Sequence, residues 1–221
     1  MPDVNQPSHA VVLLHGFAAH WRLMRPLEDH LSNAGYATTN WGYNSWFKPI
    51  EHHASRLRQH LTQLQQDESI ASIDFVTHSM GCIVTRAALA NQLPSKCRRW
   101  VMLAPPNKGS YVANWIPKFM KSWMKPLDEL QAKETSYVNQ LKMPSEIEIA
   151  VVEATLDYIV ARELTKIDEE KDRLVVPGLH SQVLFRRDVA TQTTHFLQHG
   201  RFAASIAEHG GRDQSRFATQ P

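Results

Sequence analysis

One serine in this sequence has neighbours that suit nucleophilic chemistry. Residues 76–81 read Val-Thr-His-Ser-Met-Gly, and they stand between an apolar run and a helical pattern. Gly-x-Ser-x-Gly at such a junction is typical of a nucleophile elbow, a sharp turn that exposes the serine hydroxyl for attack on a carbonyl carbon. Gly81 occupies the second glycine position, whereas Thr77 stands at the first. The segment predicts Ser79 as a nucleophile, with a serine at a helix N-cap as the alternative interpretation.

A second short segment lies where electrostatic support for that nucleophile is expected. Leu14-His15-Gly16-Phe17 follows the first apolar run of the chain. Acyl transfer places negative charge on the carbonyl oxygen, and each well-placed backbone N–H group lowers the barrier by about 3–4 kcal/mol. We predict that the N–H groups of Phe17 and Met80 form this oxyanion hole. Taken alone, His15-Gly16 is also consistent with an ordinary turn.

A serine nucleophile needs a base, and the base needs an acid that orients it. Asp157 and His180 each fall on a loop after a predicted strand, in the chain order serine, acid, histidine. The pattern favours His180 as base and Asp157 as acid, because loops at strand ends carry catalytic side chains in open α/β sheets. His195 is the alternative base, although it falls within a predicted helix. The alternative acids lie in a strand or a charged run, and they are Glu153, Asp168 and Asp172.

These residues need a framework that brings the ends of several strands together. Apolar runs predict strands over residues 10–14, 36–41, 73–77, 100–104, 147–153 and 173–176. Apolar residues at helical spacing predict helices over residues 21–34, 50–66, 80–91 and 186–199. Strands that alternate with helices indicate an α/β fold with a mostly parallel central sheet and helices on both faces.

The alternation stops between residues 107 and 144. Apolar side chains recur there at the spacing of one helical face, and they are Trp115, Ile116, Phe119, Met120, Trp123 and Met124. We predict that residues 107–144 form a small helical cap or lid, in which Trp115, Phe119 and Trp123 line an apolar substrate pocket. Two other interpretations stay open, a helix packed on the core and a basic amphipathic helix on a membrane surface. An apolar wall favours a substrate with an apolar acyl or alkyl group.

Composition and charge narrow the class of protein. The chain has 221 residues, of which 43% are hydrophobic and 21% are charged, as in ordinary globular proteins. We expect one domain over residues 1–221. The 24 basic and 22 acidic side chains give a net charge of +2, so nucleic acid is not an expected partner. Neither the histidines nor the pair Cys82 and Cys97 have the spacing of metal ligands, so we expect no metal.

The sequence also bears on where in the cell the protein is expected. It has no run of about 18 apolar residues of the kind that crosses a membrane. The first nine residues lack the basic and apolar regions of a signal peptide. Two free thiols are typical of a reducing compartment. We therefore expect a cytoplasmic protein, with contact to a membrane surface as the less favoured alternative.

Taken together, these segments resemble the α/β-hydrolase superfamily, and in particular its small bacterial lipases and esterases. The resemblance rests on THSMG at residues 77–81, LHGF at residues 14–17 and VMLAPPNKGS at residues 101–110. It extends from Val11 to Phe202. It implies an α/β-hydrolase fold, no cofactor, a small apolar ester as the substrate, and hydrolysis of carboxylic esters through an acyl-enzyme.

The resemblance also implies a role for individual residues. Ser79 would be the nucleophile, His180 the base and Asp157 the acid, with Phe17 and Met80 supplying the oxyanion N–H groups. The chain departs from the family's glycines at three positions, namely Thr77, Cys82 and Ala154. The same triad serves acyltransferases and thioesterases, and a non-catalytic binding protein can share the fold. Ester hydrolysis is the favoured interpretation, because the serine, histidine, acid and His-Gly segment are all intact.

Overall fold

The computed structural model describes residues 8–90, 92–115, 117, 119 and 123–204, and these residues contain one sheet of six strands. Every neighbouring pair is parallel, and the order across the sheet is β2-β1-β3-β4-β5-β6. The strands are β1 Ser8–Leu14, β2 Ala37–Asn40, β3 Ile70–His78, β4 Cys97–Leu103, β5 Glu148–Ala154 and β6 Glu170–Val176. The α/β fold predicted from the sequence is confirmed.

Helices connect these strands. The α-helices are α1 Arg25–Asn33, α2 Ile50–Gln66, α3 Met80–Leu89, α4 Tyr111–Asn114, α5 Lys125–Glu129, α6 Tyr137–Gln140 and α7 Arg187–His199. Short 3₁₀ turns cover Trp21–Met24, Arg162–Leu164 and Gln182–Phe185. The predicted helix over residues 21–34 is therefore divided at Arg25. Pro26 lies in the first turn of α1, where its missing N–H group is not needed.

The alternation of side chains along β1 explains why helices cover both faces of the sheet. Val12 points to one face, where it shares a hydrophobic core with Leu57 of α2. Val11 points to the other face, where it shares a second core with Leu27 of α1 and Phe196 of α7. A parallel strand that is buried on both faces shows up in sequence as a continuous apolar run. β1, β3 and β4 have this character, and they carry the centre of the sheet.

The edge strand β6 starts earlier than the sequence predicts. The prediction begins at residue 173, but the strand already pairs with β5 at Glu170. Its early residues are charged, and most of its side chains are only partly buried. A sheet edge tolerates charged side chains because one side of the strand faces solvent. The apolar-run criterion therefore misses the first half of this strand.

The segment over residues 107–144 contains the short helices α4, α5 and α6 in its described part. Trp115 caps the C-terminal end of α4, and Met124 caps the N-terminal end of α5. Within the predicted stripe, residues 116, 118 and 120–122 lie outside the described residues. None of the helices in the described ranges has both the length and the apolar character needed to cross a membrane.

Arg86 of α3 fastens this segment to the helix that follows Ser79. Its guanidinium donates hydrogen bonds to the carbonyl oxygens of Asn107 at 3.0 Å and Lys142 at 3.4 Å. It also donates to the carbonyl oxygen of Leu141. One buried arginine thus holds both ends of the segment. The position of the segment is consequently tied to the helix that starts at the candidate nucleophile.

Candidate active site

Ser79 lies in the sharp turn between β3 and α3. Its backbone has φ 52° and ψ −124°, a conformation that costs a non-glycine residue free energy and is found mainly at functional sites. Its N–H group donates a 2.9 Å hydrogen bond to the carbonyl oxygen of Leu103, which holds the turn against β4. The Ser79 side chain makes no capping hydrogen bond to α3. The geometry is that of a strained strand-to-helix elbow and not that of an ordinary N-cap.

Two glycines allow the elbow to pack against the end of β1. A Cβ atom at Gly81 would lie 2.7 Å from the carbonyl oxygens of both Leu14 and His15. A Cβ atom at Gly16 would lie 2.9 Å from the Cβ atom of Ser79. Real Cβ atoms essentially never lie within 3.0 Å of such neighbours, so both positions require glycine. The His-Gly segment and the serine elbow therefore form one packed unit.

Thr77 and Cys82, two of the departures from the family's glycines, contact each other. The Thr77 hydroxyl lies 3.2 Å from the Cys82 sulfur, and the Cys82 thiol lies 3.2 Å from the Thr77 carbonyl oxygen. Trp100 donates its indole N–H to the Thr77 hydroxyl at 2.7 Å. Burial raises the pKa of the Cys82 thiol to about 12, so the sulfur stays neutral. The two larger side chains satisfy each other beneath the elbow and leave the turn intact.

His180 and Asp157 meet through their side chains. The Nδ1 atom of His180 lies 2.6 Å from Oδ2 of Asp157, whose side chain is 2% exposed. The backbone N–H groups of Ile159 and Val160 donate to Oδ1 of Asp157 at 2.9 Å and 2.8 Å. Burial alone raises the pKa of Asp157, but His180 and the two N–H groups outweigh it and hold that pKa below its usual range. The carboxylate is thus ionised and fixed against the imidazole.

His78 connects the elbow to the loop that carries His180. Its Nε2 atom lies 3.2 Å from the carbonyl oxygen of His180, and the two ring centroids are 4.9 Å apart. Burial, together with the nearby His180, lowers the pKa of His78 to about 3, so its ring is neutral. A carbonyl oxygen only accepts hydrogen bonds, and Nε2 of His78 is therefore the protonated nitrogen. The residue before Ser79 helps to hold the His180 loop over the elbow.

Ser79 and His180 line the same cavity, which has a volume of about 340 Å³. Phe17, Leu23, Val160 and Ile159 supply part of its wall. Further apolar side chains come from α4 and α5 and from the residue after α5, and they are Val112, Ala113, Leu127 and Leu130. The structure thus gathers Ser79, His180 and, through His180, Asp157 beside one apolar pocket. Of the two predicted oxyanion donors, Phe17 lines the cavity from the loop after β1, and Met80 is the first residue of α3, directly after Ser79.

The apolar stripe of the sequence analysis takes no part in the described lining of this pocket. Trp115, Phe119 and Trp123 are 86%, 75% and 74% exposed, and none of them borders the cavity. The spacing predicts one continuous helix, whereas Trp115 stands at the end of α4 and Trp123 precedes α5. The structure does not bring these three side chains to Ser79.

A family-level comparison matches residues 11–205 to a family described as the alpha/beta hydrolase family. The match covers most of the sequence. The chain belongs to the alpha/beta hydrolase family. No curated protein matches the sequence closely enough to count as a relative.

Solved structures share the fold of this alpha/beta hydrolase. The lipase B of Aspergillus fumigatus has a TM-score of 0.69 at 14% identity, over 87% of this chain and 53% of the lipase. This chain therefore spans about half the length of that protein. The Bacillus licheniformis lipase BlEst2 in its mature form has a TM-score of 0.66 at 13% identity, over 90% of this chain and 93% of the lipase. The Est1E structure from Butyrivibrio proteoclasticus, with ferulic acid bound, has a TM-score of 0.64 at 15% identity, over 90% of this chain and 92% of Est1E.

The alternative catalytic residues of this hydrolase have other contacts. Glu153 is buried in β5 and forms ion pairs with Arg162 and Arg173 at 2.5 Å each. His195 lies on α7, and its Nδ1 atom is 2.8 Å from the carbonyl oxygen of Arg201. Asp172 accepts hydrogen bonds from the backbone N–H groups of Arg173 and Phe202, and Asp168 is exposed. Within the described residues, no three His, Cys, Asp or Glu side chains are arranged to hold a metal ion.

Sequence reasoning missed the pocket wall that α4 and α5 provide. Each helix has only four or five residues, and so short a segment shows no helical periodicity. Pro126 is the one local signal, because proline favours the first turn of a helix and α5 starts at Lys125. The strong periodicity of the neighbouring tryptophans points instead to side chains that are exposed in the structure.

Proposed function

We propose that this alpha/beta hydrolase is a serine esterase that cleaves carboxylic esters with an apolar acyl group. The contact between Nδ1 of His180 and Asp157 carries the proposal, because it presents the opposite nitrogen of the imidazole to the cavity that Ser79 lines. A carboxylate in that position fixes both the tautomer and the orientation of the ring. No metal or cofactor takes part in the proposed reaction.

The proposed reaction proceeds in two halves. The Ser79 hydroxyl oxygen attacks the ester carbonyl carbon while Nε2 of His180 accepts the hydroxyl proton, which forms a tetrahedral intermediate with a negatively charged oxygen. The N–H groups of Phe17 and Met80 stabilise that oxygen. The intermediate collapses, the bond to the alcohol breaks, and the imidazolium returns its proton to the leaving alcohol. Water then attacks the acyl-enzyme with His180 as base, which releases the carboxylic acid and restores Ser79.

The character of the pocket supports an apolar acyl group. Beside Ser79 and His180 the wall is largely made of aliphatic and aromatic carbon, and residues 107–144 contribute much of it as the proposed cap. Each methylene group moved from water into such a wall gains about 0.8 kcal/mol. Longer acyl chains are therefore favoured until they fill the cavity. A charged acyl group would lose its hydration without a compensating ion pair.

The test is a series of p-nitrophenyl esters from acetate to decanoate. In the wild-type protein, kcat/KM should rise by up to about fourfold per methylene while the chain fits the pocket. Leu127→Ala removes half-buried wall from α5, so it should lower kcat/KM for octanoate about five- to tenfold more than for acetate. Trp123→Ala is the matched control, because Trp123 is 74% exposed and does not border the cavity.

Three results would count against parts of this proposal. A folded wild-type protein that hydrolyses none of these esters favours a non-catalytic binding protein of the same fold. Turnover with no dependence on chain length would contradict the proposed preference for an apolar acyl group, but it would agree with a serine nucleophile. A change in chain-length preference for Trp123→Ala and none for Leu127→Ala would restore the pocket wall that the sequence predicted.

Asp157→Asn should lower kcat by roughly 10⁴ while the fold is kept, as in the Ser-His-Asp protease that serves as reference for this effect. An amide at this position no longer requires the proton on Nδ1 of His180, so the ring loses the tautomer that leaves Nε2 free to act as base. The measurement is p-nitrophenyl butyrate hydrolysis together with a thermal melt. Asp168→Asn, at an exposed position before β6, should retain wild-type turnover. A loss of less than tenfold in Asp157→Asn would assign the acid to another residue.

A further inference from the structure

A second cleft adjoins the catalytic pocket at the ends of β1 and β2. Its volume is about 750 Å³, and we call it the β2-end cleft. Ala19 lines both the cleft and the catalytic pocket. Phe17 of the catalytic pocket packs edge-on against Trp46 of the cleft, with ring centroids 5.2 Å apart. Residues of the loop after β1 line both spaces, so one elongated molecule can reach from one into the other.

The β2-end cleft differs from the catalytic pocket in its chemistry. One carboxylate and one guanidinium border it, from Glu28 of α1 and Arg56 of α2. Amide, hydroxyl and imidazole groups stand between them, and aromatic rings form part of the wall, namely Trp21, Tyr43 and Trp46. A single charge of each sign does not select an anion or a cation. Mixed donors and acceptors beside aromatic faces instead suit a neutral group that carries several hydroxyls.

Two polar atoms of this lining lack partners within the described part of the chain. Ser45 is 1% exposed, and its hydroxyl forms no hydrogen bond there. The Oδ1 atom of Asn40 is also buried without a partner, while its Nδ2 atom donates to the carbonyl oxygen of Trp21 at 3.0 Å and to Glu28 at 2.8 Å. Folded proteins satisfy most buried polar atoms. An unpaired hydroxyl and an unpaired amide oxygen in residues that line a cleft are suited to the hydroxyls of a ligand.

We propose that the β2-end cleft binds a sugar ring or similar polyhydroxylated group of the ester whose acyl chain lies in the catalytic pocket. The inference rests on the proposed esterase function and narrows its substrate to amphiphilic esters, with an apolar acid and a polyhydroxylated alcohol. Sugar hydroxyls both donate and accept, as Ser45 and Asn40 require, and the C–H faces of the ring pack on aromatic side chains. The cleft exceeds the catalytic pocket in volume, which favours a ring over the smaller glycerol.

The test compares kcat/KM for glucose 6-octanoate, glycerol mono-octanoate and methyl octanoate. The wild-type protein should prefer the glucose ester over the methyl ester by at least about tenfold, since two or more hydrogen bonds of ordinary strength are added. Ser45→Ala should lower that ratio by about three- to tenfold, the effect of one hydrogen bond. Arg56→Gln, at an exposed position of α2, should lower it as well. Thr193→Val is the matched control, because it also removes a buried unpartnered hydroxyl, on α7.

The outcomes separate this inference from the proposed function. Ser79-dependent hydrolysis of methyl octanoate establishes the esterase by itself, so equal kcat/KM values for the glucose and methyl esters overturn the cleft assignment alone. If kcat/KM for the glycerol ester equals that for the glucose ester, the cleft binds a smaller polyol and not a sugar ring. A ratio unchanged in Ser45→Ala and Arg56→Gln also overturns the assignment. Calorimetry with monomeric octyl glucoside, which has no ester, supplies a readout without turnover: binding weakened in Ser45→Ala supports the cleft, and absence of binding contradicts it.

Discussion

Ser79→Ala is expected to abolish ester hydrolysis, with a loss of about 10⁴–10⁶ in kcat, because the change removes the nucleophile of the proposed triad. The change removes one oxygen atom and leaves the elbow backbone in place. Alanine tolerates positive φ in this chain, as Ala18 at 54° and Ala104 at 48° show. The variant should therefore fold, and a thermal melt close to that of the wild type checks this. Hydrolysis of p-nitrophenyl octanoate measures the loss.

A fluorophosphonate probe gives an independent measure of the same nucleophile. It should label the wild-type protein at Ser79, as mapped by mass spectrometry, and it should leave Ser79→Ala unlabelled. Ser55→Ala, at an exposed position on α2, is the control and should keep both turnover and labelling. If a clean Ser79→Ala preparation retains even a tenth of wild-type activity, the nucleophile is a different residue.

The central sheet was predictable because burial on both faces gives each inner strand a continuous apolar run. β1 and β4 show this in the sequence, and α2 matches its predicted range of residues 50–66. The first half of β6 was not predicted, because this edge strand begins with charged residues and has no continuous apolar run there. Fold prediction was therefore accurate where burial is complete and weaker where an element lies at the surface.

The candidate catalytic residues were accessible to sequence reasoning because strand ends and chain order determine where they lie. Ser79 follows β3, Asp157 follows β5 and His180 follows β6, so a parallel sheet brings all three to one edge. The contact of His180 with Asp157 could be anticipated from topology alone. The distances that tie them, such as the 2.6 Å from Nδ1 to Oδ2, depend on loop conformations that no periodicity encodes.

Other parts of the site depend on tertiary contacts that a sequence pattern does not reveal. Thr77 and Cys82 each departed from the family's glycines, and only the structure shows that they occupy adjoining space and bond to each other. The β2-end cleft is similar, because its lining comes from α1, α2 and the loops after β1 and β2. Trp115, Phe119 and Trp123 show the converse, because they share a helical spacing and are nevertheless exposed.

His180→Ala should lower kcat by about as much as Ser79→Ala, on the order of 10⁴–10⁶, and the double variant should be little worse than either single one. The serine hydroxyl is a weak nucleophile until a base removes its proton, so loss of either group disables the same step. Rates for wild type, both single variants and the double variant, measured with p-nitrophenyl octanoate, form the complete cycle. Multiplicative losses in that cycle would mean that the two residues act in separate steps.

His195→Ala is the matched control, because it removes the imidazole that sequence reasoning kept as the alternative base. His195 lies within α7, where its ring packs beside His199 with centroids 4.4 Å apart and Nδ1 contacts the carbonyl oxygen of Arg201. These contacts join the end of α7 to the residues that follow it. The variant should therefore melt at a lower temperature and keep its turnover. The reverse pattern, with full activity in His180→Ala and none in His195→Ala, would mean that His195 is the base. Asp157, which contacts His180, would then have no role in the reaction.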